Sequence, residues 1–174
     1  YVDKFNHKFQ TDKLNKKICD SIDKASGLIF ISEYSKKIVE KMHKKIKIPN
    51  IVIHNAVDIA QFSNFGHNLR RKFGFDENDR VIVTSASWRR HKRLNESIEL
   101  LNILNSQNKF KYKLLVLGKS ESQILNKDVI YTGHISHYNL PQYYRSGDIY
   151  LHLAWIEPCG NCLLYTSPSP RDNR

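Results

Sequence analysis

The chain has 174 residues with 28 Lys and Arg against 17 Asp and Glu, a formal net charge of +11, and 40% hydrophobic residues. That apolar share can build a core and excludes a disordered polyelectrolyte, while no apolar run reaches the roughly eighteen residues that a membrane crossing needs. Three cysteines, Cys19, Cys159 and Cys162, are too few and too clustered for a disulfide scaffold and fit a reducing compartment, the cytoplasm.

The chain opens on Tyr1 with no signal-peptide pattern and reads as a partial sequence. The first clear element is the apolar run Gly27 to Ser32, a buried strand, followed by a Lys-rich helix that Ser32 and Ser35 can cap. In that helix Ile38, Met42 and Ile46 share one face at a spacing of four, leaving Lys37, Lys41, Lys44 and Lys45 on another. A solvated face is the plain reading of these lysines; an anionic membrane surface or a nucleic acid is the alternative. Neither an aromatic-interleaved RNA signature nor zinc-finger spacing supports the last. Pro49 closes the helix. Ile51 to Ile53 form a short strand, and residues 59–78 read as a connector with a basic helical turn or two around Leu69 to Phe73.

From Asp79 the rhythm becomes regular. Strands are expected at 80–86, 113–117, 128–132 and 148–153, with a helix marked by Leu94, Ile98, Leu101 and Leu104 and another over 139–145. Strands alternating with helices of this length imply crossovers, hence an α/β fold with a Rossmann-like parallel sheet and helices on both faces.

In such sheets ligands bind beyond the carboxyl ends of the strands, which singles out residues 87–93, 118–122, 133–137 and 154–161. The first segment carries Arg89, Arg90, Lys92 and Arg93 against a helix N-terminus. Cations there oppose the helix dipole, which a bound phosphate would offset; a merely solvated basic loop is the alternative. With 7 glycines and none spaced as Gly-x-Gly, neither a Rossmann glycine fingerprint nor a P-loop is present, so side chains would hold the phosphate. In the last segment Glu157, ahead of Gly160, can accept hydrogen bonds from sugar hydroxyls or simply serve as a helix N-cap acid. Cys159 and Cys162 spell C-x-x-C but lack a second ligand pair or a thioredoxin-like context. His91 and His134 stand at strand ends, where they could reach ligand.

Ile31-Ser32-Glu33-Tyr34-Ser35, Ile53-His54-Asn55-Ala56-Val57-Asp58, Trp88-Arg89-Arg90-His91-Lys92-Arg93-Leu94, Tyr131-Thr132-Gly133-His134-Ile135 and Glu157-Pro158-Cys159-Gly160-Asn161, in this order, resemble glycosyltransferase family 4. That resemblance implies the GT-B architecture, two Rossmann-like domains facing across a cleft, with the nucleotide-sugar donor bound by the C-terminal one. It divides the chain into 1–58, the end of the acceptor-side domain; 59–78, a connector; 79–161, part of the donor domain; and 162–174. It implies catalytic roles for Lys92, Arg90 and Glu157, and donor contacts from Arg89, Arg90, Lys92, Gly133, His134, Glu157, Gly160 and Asn161.

The family's second acid falls at position 165, where this chain has Tyr165. Residues 162–172 resemble, residue for residue, the translation of a transposase-type sequencing-library adaptor, and Pro168 and Pro170 forbid the helix expected after Asn161. The native sequence is therefore expected to stop near Asn161, the tail to be non-native, and the fragment to be inactive alone. The expected parent function is transfer of a sugar from a nucleoside-diphosphate donor, UDP- or GDP-linked, to a glycan or lipid-linked acceptor. It is expected to retain configuration and to need no metal and no cofactor, since no Asp-x-Asp is present to hold a cation. A cytoplasmic location, peripheral at the inner membrane face, goes with it. The competing readings are a GT-B sugar-nucleotide epimerase and a non-catalytic basic α/β module for nucleic acid.

Overall fold

The computed structural model describes residues 8–43, 46–107, 110–120 and 123–155. They fall into two compact units, one within Tyr1–Ala56 and the other within Val57–Arg174.

The first unit holds helix α1 (Lys8–Asp23), strand β1 (Leu28–Phe30), helix α2 (Glu33–His43) and strand β2 (Asn50–Val52). β1 and β2 pair in parallel, Leu28 with Asn50 and Phe30 with Val52, so α2 is a crossover between them. Its start is a reciprocal cap: the Ser35 N–H donates to Ser32 Oγ at 3.1 Å and the Ser32 N–H donates to Ser35 Oγ at 3.2 Å, satisfying two backbone donors at once. At its other end His43 Nε2 meets Asp23 Oδ1 of α1 at 2.9 Å. The apolar stripe of α2 faces outward: Tyr34, Ile38 and Met42 are exposed beside Lys37 and Lys41. The sequence spacing identified the stripe and could not tell which side it lay on. α1 has no counterpart in the sequence reading, because its narrow run of Leu14, Ile18 and Ile22 buries only Ile22.

The second unit holds β3 (Arg80–Ser85), α3 (Leu94–Gln107), β4 (Tyr112–Leu117), β5 (Val129–Tyr131), α4 (Leu140–Tyr144) and β6 (Ile149–Tyr150). All four strands are parallel, in the order β5-β4-β3-β6. Alternate residues of β3 and β4 face opposite ways. Ile82, Leu114 and Val116 pack with Ile98 and Leu101 of α3, whereas Val81, Val83, Leu115 and Leu117 pack toward Phe75, Leu140 and Tyr143 on the α4 side. The parallel sheet is thus covered on both faces, as the patterning implied, and each fully buried aliphatic side chain contributes about 1.5–3 kcal/mol.

Residues 69–78, within the expected connector, are fastened to this unit. Arg70 Nη1 donates to Ser146 O at 3.2 Å and to Asp148 Oδ2 at 3.1 Å, while its Nη2 donates to Asp76 O and Asp79 O. Asp148 Oδ2 also accepts the Val81 N–H at 2.7 Å, locking the start of β6 to the start of β3. Ser146, fully buried, accepts the Leu69 N–H at 2.8 Å and donates to Gln142 O at 2.7 Å. Ser146→Ala strands the buried Leu69 N–H and is expected to cost about 1–3 kcal/mol. A urea melt reads this as a lower midpoint with unchanged slope, and an unshifted midpoint would contradict it.

Candidate active site at a reversal of strand order

From β3 the sheet grows one way, through β4 to β5, and then the chain returns to place β6 on the other flank of β3. Loops leaving β3 and β6 therefore diverge, and a crevice opens between their carboxyl ends, the position where open α/β sheets bind ligands. Four segments converge on it: residues 86–93 after β3, Gly118 after β4, Gly133 and His134 after β5, and residues 151–155 after β6.

Close approach of backbone builds this edge. Gly118 has φ +103, and a Cβ there would stand 2.0 Å from Ala86 O, so only glycine fits beside β3. The Gly118 N–H donates to Gly133 O at 2.9 Å, and Gly133, at φ +70, makes the turn out of β5. Leu117 O accepts both the Ala86 N–H at 3.2 Å and the Trp88 indole N–H at 2.9 Å, which aims the basic loop away from the strand. Below β6, Ser85 Oγ joins Tyr144 Oη at 2.9 Å and Tyr150 Oη at 3.0 Å, and the Tyr150 ring stacks on His152 at 6.3 Å.

The basic loop is a short 3-10 turn, Arg90–Lys92, closed by Arg93. Arg93 has φ 58 and ψ 49 and is the non-glycine residue with positive φ among the described residues, a backbone state that persists only where surroundings hold it. Here its Nε donates to Glu96 Oε1 at 3.0 Å and its guanidinium lies 5.8 Å from the centre of the Trp155 ring. The Trp155 N–H donates to His91 O at 3.1 Å, tying the end of β6 to the same turn.

In sequence all four cations are candidates for a bound phosphate or for a merely solvated loop. Arg93 instead finds its anion inside the chain, in Glu96 of the first turn of α3. Arg89 and Arg90 are exposed and Lys92 is half-buried, all three on the turn that leaves β3. Gly133 and His134 stand at the β5 end, His134 exposed. The structure thus gathers Arg89, Arg90, Lys92, Gly133 and His134 along one sheet edge. Glu157, Gly160, Asn161, the C-x-x-C pair and the tail from Cys162 lie outside the described residues. The sequence places Trp155 in the segment 154–161 without a role of its own, and the contacts with His91 and Arg93 show what it borders. Among the described residues no three His, Cys, Asp or Glu side chains cluster as a metal site.

The hydrogen bond from Arg93 holds the Glu96 carboxyl below its ordinary value, helped by a backbone hydrogen bond and by the charges of Arg93 and Arg90. A depressed carboxylate stabilises the fold above its unfolded-state value and loses that contribution as pH falls through the folded one. Wild type is therefore expected to be more stable than Glu96→Gln near neutrality, the two converging in acid. An NMR titration placing Glu96 at or above an unstructured glutamate would contradict this.

The model of the glycosyl transferases group 1 family matches residues 67–164. No curated protein sequence matches the chain. Among solved structures, sucrose-phosphate synthase from Thermosynechococcus elongatus aligns with a TM-score of 0.74 at 13% identity, over 95% of this chain and 44% of that one. HepE of Anabaena, solved in complex with UDP and glucose, gives 0.70 at 18% identity, over 92% and 46%. WaaG, a glycosyltransferase involved in lipopolysaccharide biosynthesis, gives 0.65 at 17% identity, over 79% and 40%. The chain spans less than half the length of each of these structures.

Proposed function

Since the chain belongs to the glycosyl transferases group 1 family, we propose that it supplies the donor-side chemistry of a glycosyltransferase, which moves a sugar from a nucleoside-diphosphate donor, UDP- or GDP-linked, to a glycan or lipid-linked acceptor. The observation that carries this reading is the cationic turn Arg89–Lys92 at the carboxyl end of β3, on the strand where the sheet order reverses. The diphosphate of a nucleotide-sugar is a dianion whose non-bridging oxygens, set on tetrahedral phosphorus, a guanidinium fork can grip through paired hydrogen bonds and an ammonium meets as a point charge.

Mechanistically, the bond between the sugar and the diphosphate breaks with charge accumulating on the departing phosphate oxygen. Lys92 with Arg89 or Arg90 meets that charge as it develops, and fixed cations act most strongly where water is excluded. Charge met in this way calls for no metal, and the reaction proceeds with retention of configuration, as the family resemblance implies. Glu157 belongs to the sugar end of the site in this reading. The similarity to HepE, solved in complex with UDP and glucose, supports this reading.

Lys92→Ala is expected to weaken UDP or GDP binding about tenfold and to slow turnover about a hundredfold in the gene product that carries this chain. A melting curve checks that the half-buried Lys92 is replaced without loss of the fold. Turnover is read as nucleoside diphosphate released only when acceptor is present, which also separates transfer from epimerisation. Wild-type turnover in this variant would overturn the assignment.

The second part of the proposal is a peripheral seat on an anionic membrane surface at the cytoplasmic face. Its support is α2, where Tyr34, Ile38 and Met42 face solvent with Lys37 and Lys41 alongside. An apolar stripe edged by lysines is the pattern of a helix lying in a headgroup layer. Among the described residues no helix is long and apolar enough to cross a membrane. The chain is expected to co-sediment with vesicles containing phosphatidylglycerol and not with phosphatidylcholine alone. Both Lys37→Glu with Lys41→Glu and Ile38→Ser with Met42→Ser should release it; equal sedimentation with both vesicle types would argue against this seat.

A further inference from the structure

Trp155 is an anomaly of this edge. It is 60% exposed, although tryptophan is a residue that folding normally buries in large part. Its backbone is nonetheless fixed, by the hydrogen bond from its N–H to His91 O, one residue from Lys92. Arg93 lies over its ring at 5.8 Å and is itself held by Glu96 at 3.0 Å in a left-handed backbone state. A strained residue, an ion pair and a backbone bond all act to keep one aromatic ring in place while leaving it open to solvent. Strain maintained around an exposed group marks a functional surface.

We propose that Trp155, positioned by Arg93, is the shelf on which the transferred sugar rests, and so a determinant of sugar specificity. The inference rests on the donor reading above and extends it to a residue and a substrate part. The strand order decides which part. A nucleotide-sugar is a linear molecule with its diphosphate in the middle, so when the diphosphate occupies the turn after β3 its two arms point to opposite flanks. One flank carries the ends of β4 and β5, where Gly118 and Gly133 bond to each other and the exposed His134 follows, leaving the base to that side. The other carries the end of β6, where Trp155 offers a π face. A pyranose has one face of C–H groups that packs on an aromatic ring while its hydroxyls stay hydrogen-bonded at the rim. Among the described residues no second aromatic ring pairs with Trp155. It forms a single shelf, the shape that one apolar sugar face requires, rather than a slot that would enclose a base.

The test is a titration of the whole chain with UDP, UDP-glucose, GDP and GDP-mannose. Affinities are read by isothermal titration calorimetry, which needs no tryptophan, and the emission of Trp88 and Trp155 is followed alongside in the wild-type chain. A sugar conjugate is expected to bind more tightly than its parent nucleotide and to perturb the emission more. Trp155→Ala should erase the sugar's increment, about threefold to tenfold, and leave the parent nucleotide's affinity within about twofold. Trp155→Phe should keep most of the increment, and a structural role alone would not produce that split. Equal weakening of nucleotide and conjugate by Trp155→Ala would assign the ring to the base and overturn the proposal, as would no change in either. If wild type binds none of the four, the donor site itself is rejected, a result distinct from a site that binds nucleotides but ignores Trp155.

Discussion

The residues of β3 from Val81 to Ser85 and of β4 from Leu114 to Leu117 are all buried, so the central strand pair has no wet face. Backbone polar groups there are satisfied only along the ladder, and a charged side chain in either strand would lose its hydration without a partner. Polar chemistry is therefore confined to the strand ends. At the amino end the chain uses it for fastening, with Arg70, Asp79 and Asp148 knotting the segment before β3 to the entry of β6. At the carboxyl end the charges are turned outward instead. Because β6 returns to the far flank of β3, that end opens into a crevice rather than closing under a continuous row of loops.

The crevice is shaped by backbone more than by side chains. Gly118 lets β4 finish against Ala86, and Leu117 O anchors the Trp88 indole, so the cationic turn leaves β3 along a fixed path. Within that turn the charges divide by partner. Arg93 and Glu96 neutralise one another at the start of α3 and help to hold Trp155, while Arg89 and Arg90 are exposed and Lys92 is half-buried on the same turn. A cationic turn and an aromatic surface thus stand one hydrogen bond apart, through His91 and Trp155.

Much of this was legible in the amino-acid order. Apolar runs at 80–86 and 113–117 announce strands buried on both faces, and the spacing of Leu94, Ile98, Leu101 and Leu104 announces the helix between them. The basic segment after the third strand stood out by charge alone, as did its place at a strand end. Other features depended on information that no local pattern carries. α1 escaped because its apolar stripe is one residue wide, Leu14, Ile18 and Ile22, in an otherwise polar segment. The outward turn of Tyr34, Ile38 and Met42 inverts the usual rule that an apolar stripe faces the core. That Arg93 pairs with Glu96 requires a left-handed residue which propensity disfavours in arginine, and the prominence of Trp155 depends on β6 lying beside β3, far away in sequence, and on the bond from Trp155 to His91.

The central claim is that a nucleoside diphosphate is held at the crevice between the ends of β3 and β6. An amide chemical-shift map of the chain, recorded by heteronuclear NMR as UDP or GDP is added, tests it residue by residue. The account predicts saturable shifts concentrated in residues 87–93 and at Gly118, Gly133 and His134. The amides of residues 76–79 and Lys111, at the opposite end of the sheet, should stay still. Shifts scattered over the lysines of α1 and α2, or confined to the amino end of the strands, would show that the charge of this protein serves something other than a donor diphosphate.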